Sequence, residues 1–269
     1  MDAETRLYCL LGMPARHSLS PVMHNAGFRK LGINAAYMAF EPQNLGDAVK
    51  GLKELGAGGF NLTMPFKNEV IGYLDEVDEK ARRIGAVNTV VNRGGKLVGY
   101  NTDGVGAVAA LRKVGKVAGE RALLLGAGGA GSAIAHALAE EKADVIVADR
   151  NAGKAGALAE AAGIGLADIA EVRSLDGLDI VINATPAGMR PNVKEMPVDA
   201  KLLRKGMVVF DIVYDPLETR LLKEARKRGC RTIPGIEMLL GQGFETFRLF
   251  TGRAAPEKEM RKAVMAAMG

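Results

Sequence analysis

Cysteine, tryptophan and long apolar runs are scarce in this sequence. The 269 residues include two cysteines, Cys9 and Cys230, and no tryptophan. Because the cysteines lack metal-ligand spacing, we expect neither a disulfide framework nor a metal site, and a reducing compartment fits. No apolar run reaches the roughly 20 residues that a membrane span needs. The N-terminus is acidic and lacks the apolar core of a signal peptide. These absences predict a cytoplasmic protein that does not span a membrane.

Aromatic side chains are also few, at 5% of the residues, which argues against a base-stacking surface for nucleic acid. The formal net charge is +5, and the only concentrated basic stretch is residues 223–231. We interpret that stretch as the solvated end of a helix, where cations also suit the helix dipole. The modest positive charge favours an anionic small molecule. We therefore predict a small-molecule partner, no nucleic-acid or membrane partner, and a monomer or homodimer.

Apolar β-branched runs alternate with helical patterns along the whole chain, which is typical of parallel α/β architecture. Early strands are predicted at 7–12, 37–40 and 59–62, with a hairpin of 88–92 and 96–100. Early helices are predicted at 20–31 with Ser20 as N-cap, at 44–55, and from Thr63 to about residue 74. The pattern changes at Asp103, where a second series begins. We therefore predict domains at 1–103 and 104–237, and a C-terminal segment, 238–269, formed by one long helix.

The second series opens with a glycine-rich turn between a predicted strand, 122–125, and a predicted helix, 132–141. Residues 126–131 read G-A-G-G-A-G and fit G-x-G-x-x-G. Gly126 would make the tight turn, Gly128 would let the backbone approach a pyrophosphate, and Gly131 would let helix and strand pack closely. An ordinary glycine-rich turn is the alternative. The strand, the helix and an acidic residue about 20 positions on favour a dinucleotide site.

The choice between NAD and NADP rests on conflicting residues. Asp149 ends the second predicted strand of this series, where a carboxylate binds a ribose diol and repels a 2′-phosphate. Arg150 and Lys154 follow, and both are suited to a 2′-phosphate. The alternative for these two cations is a solvated helix start.

Three stretches of the first domain carry polar side chains at chain turns. Ser18 and Ser20 can both point at one carboxylate, although Ser20 can also serve only as a helix cap. Lys67 is predicted in the first turn of a helix, where a cation is unfavourable, which hints at a function. A surface lysine is the alternative. Residues 85–89 and 100–104 form the third stretch, in which Asp103 can be a cap alone.

The chain resembles the shikimate dehydrogenase family over residues 8–252. The carrying motifs are SxSP…HN, NLTMPFK, GAVNT, NTDG, GAGGA, NATPAGM, YDPxxT and GxxMLxxQ, in the family's order. The resemblance implies an N-terminal α/β substrate domain, a Rossmann-type dinucleotide-binding domain and a C-terminal helix that packs back on the first domain. It also implies NADP-dependent, reversible reduction of 3-dehydroshikimate to shikimate in aromatic amino-acid (chorismate) biosynthesis.

The same resemblance implies a role for each matching residue. Lys67 and Asp103 resemble the catalytic pair, and both also contact the substrate. Further substrate contacts are implied at Ser18 and Ser20 for the carboxylate, Thr63, Asn88 and Gln242 for the ring hydroxyls, Asn61 in support, and Tyr214 near the carboxylate. Cofactor contacts are implied at Gly126, Ala127, Gly128, Gly129, Ala130, Asp149, Arg150, Lys154, Thr185, Met189, Ile212 and Gly235.

Some alternatives stay open. Family members that use NADP usually read N-R-T where this chain reads Asp149-Arg150-Asn151, so an NAD-dependent quinate/shikimate dehydrogenase is the nearest rival. A folate-linked methylene dehydrogenase shares the two-domain plan, but nothing indicates a pterin pocket. A non-catalytic metabolite sensor of the same fold has no reason to retain both Lys67 and Asp103. No role is assigned to His24.

Overall fold

A computed structural model describes residues 1–268 of the chain. These residues form two compact units. The first contains Met1–Thr102 and the residues from Gln242 onward, and the second contains Asp103–Gly241. The predicted division into functional domains at residues 103 and 237 stays a prediction.

The first unit is built on a mixed sheet of six strands. Its strands are β1 (Arg6–Leu11), β2 (Ala35–Phe40), β3 (Gly59–Leu62), β4 (Glu76–Val77), β5 (Thr89–Arg93) and β6 (Lys96–Tyr100), in the order β2-β1-β3-β5-β6-β4. Its early helices are α1 (Ser20–Lys30), α2 (Leu45–Glu54) and α3 (Glu79–Ile84). Strands β1, β2 and β3 are parallel, whereas β5 runs antiparallel to both β3 and β6. The parallel part brings the carboxyl ends of β1 and β3 to one edge.

The second unit is a parallel sheet of six strands. Its strands are β7 (Arg121–Leu125), β8 (Asp144–Ala148), β9 (Gly165–Leu166), β10 (Ile180–Asn183), β11 (Val208–Asp211) and β12 (Arg231–Ile233), in the order β12-β11-β10-β7-β8-β9. Its helices are α4 (Asp103–Arg112), α5 (Gly129–Glu140), α6 (Ala152–Ala162) and α7 (Arg220–Lys227). The strand order reverses between β7 and β10, which is the topological switch point where doubly wound sheets bind ligands.

Both faces of this second sheet are covered, which explains why its strands read as continuous apolar runs. Leu124, Ile182 and Phe210 belong to one buried cluster, with residues of α4 and α5. The alternate residues Leu123 and Val181 belong to another, with residues of α7. The predicted α/β class with a Rossmann-type sheet is confirmed.

Two helices complete the chain, α8 (Ile236–Thr251) and α9 (Glu257–Met268). Helix α8 begins in the second unit, and its residues from Gln242 onward belong to the first. Within the first unit, α1 approaches both helices closely at Gly27, where a Cβ atom would lie 2.6 Å from the Phe247 ring and 3.1 Å from Met260 Sδ. The predicted return of the C-terminal segment to the first domain is therefore confirmed.

The single long C-terminal helix was a wrong prediction, because the chain breaks between α8 and α9. Gly252 has φ of +68°, the left-handed conformation that ends many helices, and Pro256 follows before α9 begins. Among residues 1–268, no helix has the length and apolar character that crossing a membrane requires.

The predicted cap at Ser20 is also wrong. Helix α1 begins at Ser20 itself, with Leu19 as its N-cap and no side-chain cap there. The oxygen at this turn comes from Ser18 instead, whose Oγ accepts a hydrogen bond from the Ser20 N–H at 3.2 Å.

The predicted helix from Thr63 to about residue 74 does not form. Residues 64–68 make turns, and only a short 3₁₀ helix, Glu69–Tyr73, follows. Pro65 favours this outcome, because proline disfavours the helical conformation of the residue before it, here Met64. Lys67 therefore lies in a turn, and the argument from its place in a first helical turn was wrong.

Candidate active site

A buried polar network follows β3 and the hairpin of the first unit. Asn61, at 6% exposure, accepts a hydrogen bond from the Tyr37 hydroxyl at 2.7 Å. Its Nδ2 donates at 2.9 Å to the carbonyl of Asn88 and to Oγ1 of Thr89. Both the oxygen and the nitrogen of the Asn61 amide are thus hydrogen-bonded to other groups of the protein. This arrangement suits a residue that positions its neighbours.

Asn88 extends the network toward α8. Its Oδ1 accepts from the Thr102 N–H at 2.9 Å, and its Nδ2 donates to Thr102 Oγ1 at 3.0 Å. Thr102 Oγ1 lies 3.4 Å from Gln242 Oε1 and 3.2 Å from Thr246 Oγ1. The structure therefore brings Asn61, Asn88 and Gln242, three of the predicted residues, into one group.

Sequence analysis missed the threonines that join this group: Thr89, Thr102 and Thr246. Thr89 and Thr102 lie within the motifs GAVNT and NTDG, beside residues that were singled out. Thr246 follows Gln242 by four residues on α8, and that spacing places both on one helix face. Each threonine therefore had a positional signal in the sequence.

Tyr37 connects this network to the serines. Its hydroxyl donates to Asn61 Oδ1 at 2.7 Å, and the Ser20 side chain lies near enough to lower the pKa of that hydroxyl. Burial holds the pKa of Tyr37 well above its ordinary value, so the hydroxyl stays protonated and can donate. Ser18 is half-buried, and its oxygen accepts from Ser20 while its hydroxyl proton can still be donated. Ser18 and Ser20 together form the polar start of α1.

Thr63 and Lys67 are half-buried in the turn that follows β3. Thr63 N–H donates to the Leu11 carbonyl at 3.0 Å, which joins the turn to the end of β1. The Lys67 carbonyl accepts from Val87 N–H at 2.8 Å, beside Asn88. The other predicted catalytic residue, Asp103, is buried and opens α4 in the second unit. Lys67 thus belongs to the first unit and Asp103 to the second.

His24 lies on α1 with its ring stacked on Tyr37, at 4.5 Å between centroids and 12° between planes. Burial lowers its pKa to about 3, so the imidazole is neutral near neutral pH. Its Nδ1 is buried without a hydrogen-bond partner. We assign His24 to the packing behind Tyr37, with no chemical step.

The glycine-rich turn of the second unit has the shape that a dinucleotide requires. Gly126 has φ of +109°, and a Cβ atom there would lie 2.8 Å from the Ala184 carbonyl oxygen. A Cβ atom on Gly131 would overlap the carbonyl oxygen of Gly126. A Cβ atom on Gly128, by contrast, would meet nothing within 4 Å. Two glycines therefore allow close packing at the switch point, and the third leaves an open surface where α5 begins.

Asp149, just after β8, is bound by the backbone on both sides. Its Oδ2 accepts from the N–H of Ala127 and its Oδ1 from the N–H of Asn151, each at 2.8 Å. The carboxylate thus braces the glycine-rich turn against the start of α6, which explains Asp149 without a ribose. The neighbouring cations, Arg150 and Lys154, are exposed at that helix start.

Three other predicted cofactor residues, Thr185, Ile212 and Gly235, follow β10, β11 and β12 respectively. Thr185 donates from its N–H and its hydroxyl to Asn183 Oδ1, at 3.0 and 2.6 Å. Ile212 N–H donates to the Asn183 carbonyl at 3.0 Å, and a Cβ atom on Gly235 would overlap the Ile212 carbonyl. Met189 is exposed and Tyr214 half-buried. Burial raises the pKa of the Tyr214 phenol.

These features define a class of protein. A doubly wound sheet with a glycine-rich turn, and a separate α/β unit with a buried polar network, are the parts of a two-domain, nicotinamide-dependent dehydrogenase. Family models agree along the chain: the shikimate dehydrogenase substrate binding domain matches residues 10–90, shikimate / quinate 5-dehydrogenase matches 108–216, and the shikimate 5′-dehydrogenase C-terminal domain matches 235–265.

Individual proteins agree over nearly the full length. The NADP(+) shikimate dehydrogenase of Thermococcus kodakarensis is 52% identical over 98% of this chain and 97% of its own. A shikimate dehydrogenase crystallised with NADP+ is 43% identical, with TM-score 0.96 over 100% of this chain and 98% of its own. The enzyme of Thermus thermophilus, solved with NADP(H) and shikimate, is 38% identical, with TM-score 0.91 over 98% of this chain and 100% of its own. The chain belongs to the shikimate dehydrogenase family.

Proposed function

We propose that this chain catalyses the reversible, NADP-dependent reduction of 3-dehydroshikimate to shikimate, a step of aromatic amino-acid biosynthesis. The observation that carries the proposal is its 52% identity, over nearly the full length, to an NADP(+) shikimate dehydrogenase. The polar network of the first unit supports it, because a ring acid with several hydroxyls needs such donors and acceptors. The glycine-rich turn supports the dinucleotide.

The reaction places negative charge on the oxygen of the ring ketone. Bound NADPH supplies the hydride that the carbonyl carbon receives. The Lys67 ammonium stabilises the charge that grows on that oxygen and provides a proton to it. Asp103 orients Lys67 and either accepts a hydrogen bond from a ring hydroxyl or shares the proton. Lys67 and Asp103 are the catalytic residues of the proposal.

The remaining polar residues hold the substrate. Ser18 and Ser20 hold the carboxylate, supported by the free hydroxyl proton of Ser18 and the polar start of α1. Thr63, Asn88 and Gln242 bind ring hydroxyls, and Tyr214 lies near the carboxylate. Asn61 acts through its contacts with Tyr37 and Asn88.

The cofactor residues divide by the part of NADP that they hold. The turn from Gly126 to Ala130 receives the pyrophosphate, where helix N-terminal N–H groups face an open surface. Arg150 and Lys154 hold the 2′-phosphate, while Asp149 braces the turn. Thr185, Met189, Ile212 and Gly235 are the residues that would hold the nicotinamide.

Further proposals concern the domains, the location and the assembly of the enzyme. Residues 1–103 form the substrate-binding catalytic domain, 104–237 the cofactor domain, and 238–269 the segment that returns to the first. The enzyme works in the cytoplasm as a monomer or homodimer, without nucleic-acid or membrane partners.

A steady-state assay of the purified protein tests the function. Shikimate and quinate are each supplied with NADP+ and with NAD+, and formation of reduced nicotinamide is followed. We expect the highest kcat/KM with shikimate and NADP+. A preference for quinate with NAD+ would favour the rival dehydrogenase and make the charge of Asp149 decisive. Ligand binding without turnover in any combination would favour the metabolite sensor.

A further inference from the structure

Asp211, at the end of β11, is a fully buried carboxylate for which the proposed reaction has no use. It accepts hydrogen bonds from Thr219 Oγ1 at 2.6 Å, Asn183 Nδ2 at 2.9 Å and Val213 N–H at 3.1 Å. Burial raises its pKa to about 6, although these three donors oppose the shift. None of the groups that affect its pKa is a cation. Near neutral pH, Asp211 is therefore largely an anion held only by neutral donors.

The donors come from two different loops. Asn183 is the last residue of β10, and its side chain also accepts from Thr185 and donates to the Ala187 carbonyl at 3.1 Å, which ties it to the loop that follows. Thr219 ends the loop after β11, where it also caps α7. Through its hydrogen bonds to Asn183 and Thr219, Asp211 therefore links the loop at residues 184–190 to the loop at residues 212–219.

A second tie joins the same loops at the surface. Arg190 N–H donates to the Asp215 carbonyl at 3.2 Å, and Arg190 Nε donates to the Asp215 carboxylate at 3.0 Å. An exposed ion pair of this kind contributes little rigidity, because solvent and salt screen it. Besides the backbone bonds of Ile212 to Asn183 and of Arg190 to Asp215, the buried tie at Asp211 is the side-chain contact able to fix the spacing of the two loops.

A buried anion without a cation lowers stability, so its presence calls for a compensating use. The two loops that it joins carry three of the proposed nicotinamide contacts, Thr185, Met189 and Ile212. A displacement of about 1 Å at a reacting group can lower an enzyme's rate about a hundredfold. Rigid spacing of these loops is therefore worth retaining in a dehydrogenase.

We infer that Asp211 is a positioning residue for the nicotinamide end of the cofactor site, acting by locking the loops at 184–190 and 212–219 together through Asn183 and Thr219. The inference rests on the proposed function, and it extends that function to a group that touches neither substrate nor cofactor.

Three variants test the inference in the full chain. Asp211→Asn keeps the shape but replaces one acceptor oxygen by a donor, so one of the present donors loses its partner. Thr219→Val removes the hydroxyl at similar size, and Thr219→Ser restores it. Because Thr219 also caps α7, Asn44→Ala, which removes the cap of α2 in the first unit, is the matched control for loss of a helix cap.

The measurements separate positioning from general damage. We expect Asp211→Asn and Thr219→Val to lower kcat/KM for NADP+ by about tenfold to a hundredfold. The Kd of adenosine 2′,5′-bisphosphate, which lacks the nicotinamide, and the KM of shikimate should stay within twofold of wild type. Thr219→Ser should recover most of the loss, and Asn44→Ala should show none.

Unchanged kcat/KM for NADP+ in Thr219→Val would overturn the inference, even if Asp211→Asn fails to fold. An equal loss in kcat/KM for NADP+ and in affinity for adenosine 2′,5′-bisphosphate would overturn it as well, because that result would indicate damage to the whole second unit. Failure of the proposed function has a different signature, namely wild-type protein that does not oxidise shikimate. In that case the Kd of NADP+ relative to the fragment still reports on Asp211.

Discussion

Asp149 shows why a residue type alone does not decide the cofactor. From its position after the second strand of the Rossmann unit, a carboxylate favours NAD, because it binds a ribose diol and repels a 2′-phosphate. In the structure, one oxygen accepts from Ala127 and the other from Asn151. Its neighbours Arg150 and Lys154 are exposed. Binding of NADP is thus compatible with an aspartate here, because the side chain has a structural task.

Lys67 and Ser18 should respond differently to truncation, since one acts on the transition state and the other on binding. For Lys67→Ala we expect kcat to fall by about 10²–10⁴ with little change in the KM of shikimate. For Ser18→Ala we expect the KM of shikimate to rise by about tenfold or more, because one hydrogen bond to a carboxylate is lost. Steady-state kinetics with varied shikimate at saturating NADP+ measure both.

Matched variants control for general effects at these two positions. Lys50→Ala removes an exposed lysine from α2 and should leave both constants unchanged. Ser18→Thr keeps the hydroxyl and should recover most of the affinity. If Lys67→Ala raised only the KM, Lys67 would be a binding residue, and the proton would have to come from another group.

At the scale of elements, apolar runs predicted the strands well, and the wrong predictions were helices that proline or glycine residues interrupt. β3 begins and ends where predicted, and the hairpin turn at Gly94 and Gly95 has the positive φ values, 63° and 92°, that a Gly-Gly turn favours. The prediction failed after Thr63, where Pro65 outweighs the helical pattern, and at Gly252, which separates α8 from α9. The strands β4 and β9 have two residues each, too few for any periodic pattern.

The site was predictable where its residues occur in contiguous motifs and not where distant parts of the chain meet. Asn61, Asn88 and Gln242 were singled out from their motifs. Their connection through Thr102 and Thr246 joins positions 144 residues apart, which no local pattern contains. Asp211 was missed for the same reason, since its partner Asn183 lies 28 residues earlier and no motif marked the aspartate at the end of β11.

The turn between β7 and α5 offers a test in which two neighbouring glycines should behave in opposite ways. Gly131→Ala places a methyl group into the Gly126 carbonyl, so we expect the free energy of unfolding to fall by about 1–3 kcal/mol. Gly128→Ala places its methyl group in open space, at φ of −81°, so stability should be unchanged. The same methyl group would obstruct a phosphate, and we expect the Kd of NADP+ to rise about tenfold or more. Chemical denaturation and cofactor titration measure these quantities.

Gly51→Ala is the control for both variants, because it also adds a methyl group in open space but lies on α2 in the first unit. It should leave the Kd of NADP+ unchanged, and it should not lower the free energy of unfolding. An unaltered Kd in Gly128→Ala would mean that the pyrophosphate does not approach this turn.

At the scale of the whole molecule, two buried ionisable groups oppose each other as pH changes. The pKa of His24 is lowered from 6.5 to about 3, so between these values the unfolded chain binds a proton that the folded protein does not. The pKa of Asp211 is raised from 3.8 to about 6, so between these values the folded protein holds the extra proton. Raising pH therefore stabilises the fold through His24 and destabilises it through Asp211, each by about 1.4 kcal/mol per pH unit.

From about pH 4 to pH 6 the two contributions nearly cancel, and single substitutions should reveal them. In Asp211→Asn we expect the free energy of unfolding to rise relative to wild type by about 1.4 kcal/mol per pH unit across this window, because only His24 remains. In His24→Phe, which keeps an aromatic ring beside Tyr37, it should fall by a similar amount per unit, because only Asp211 remains. Urea denaturation at half-unit pH steps measures the slopes.

The two groups lie in different units, so probes placed in each would assign the slopes if the units unfold separately. Parallel profiles for wild type and Asp211→Asn would show that Asp211 ionises at its ordinary pKa, which would remove the argument that its burial is costly.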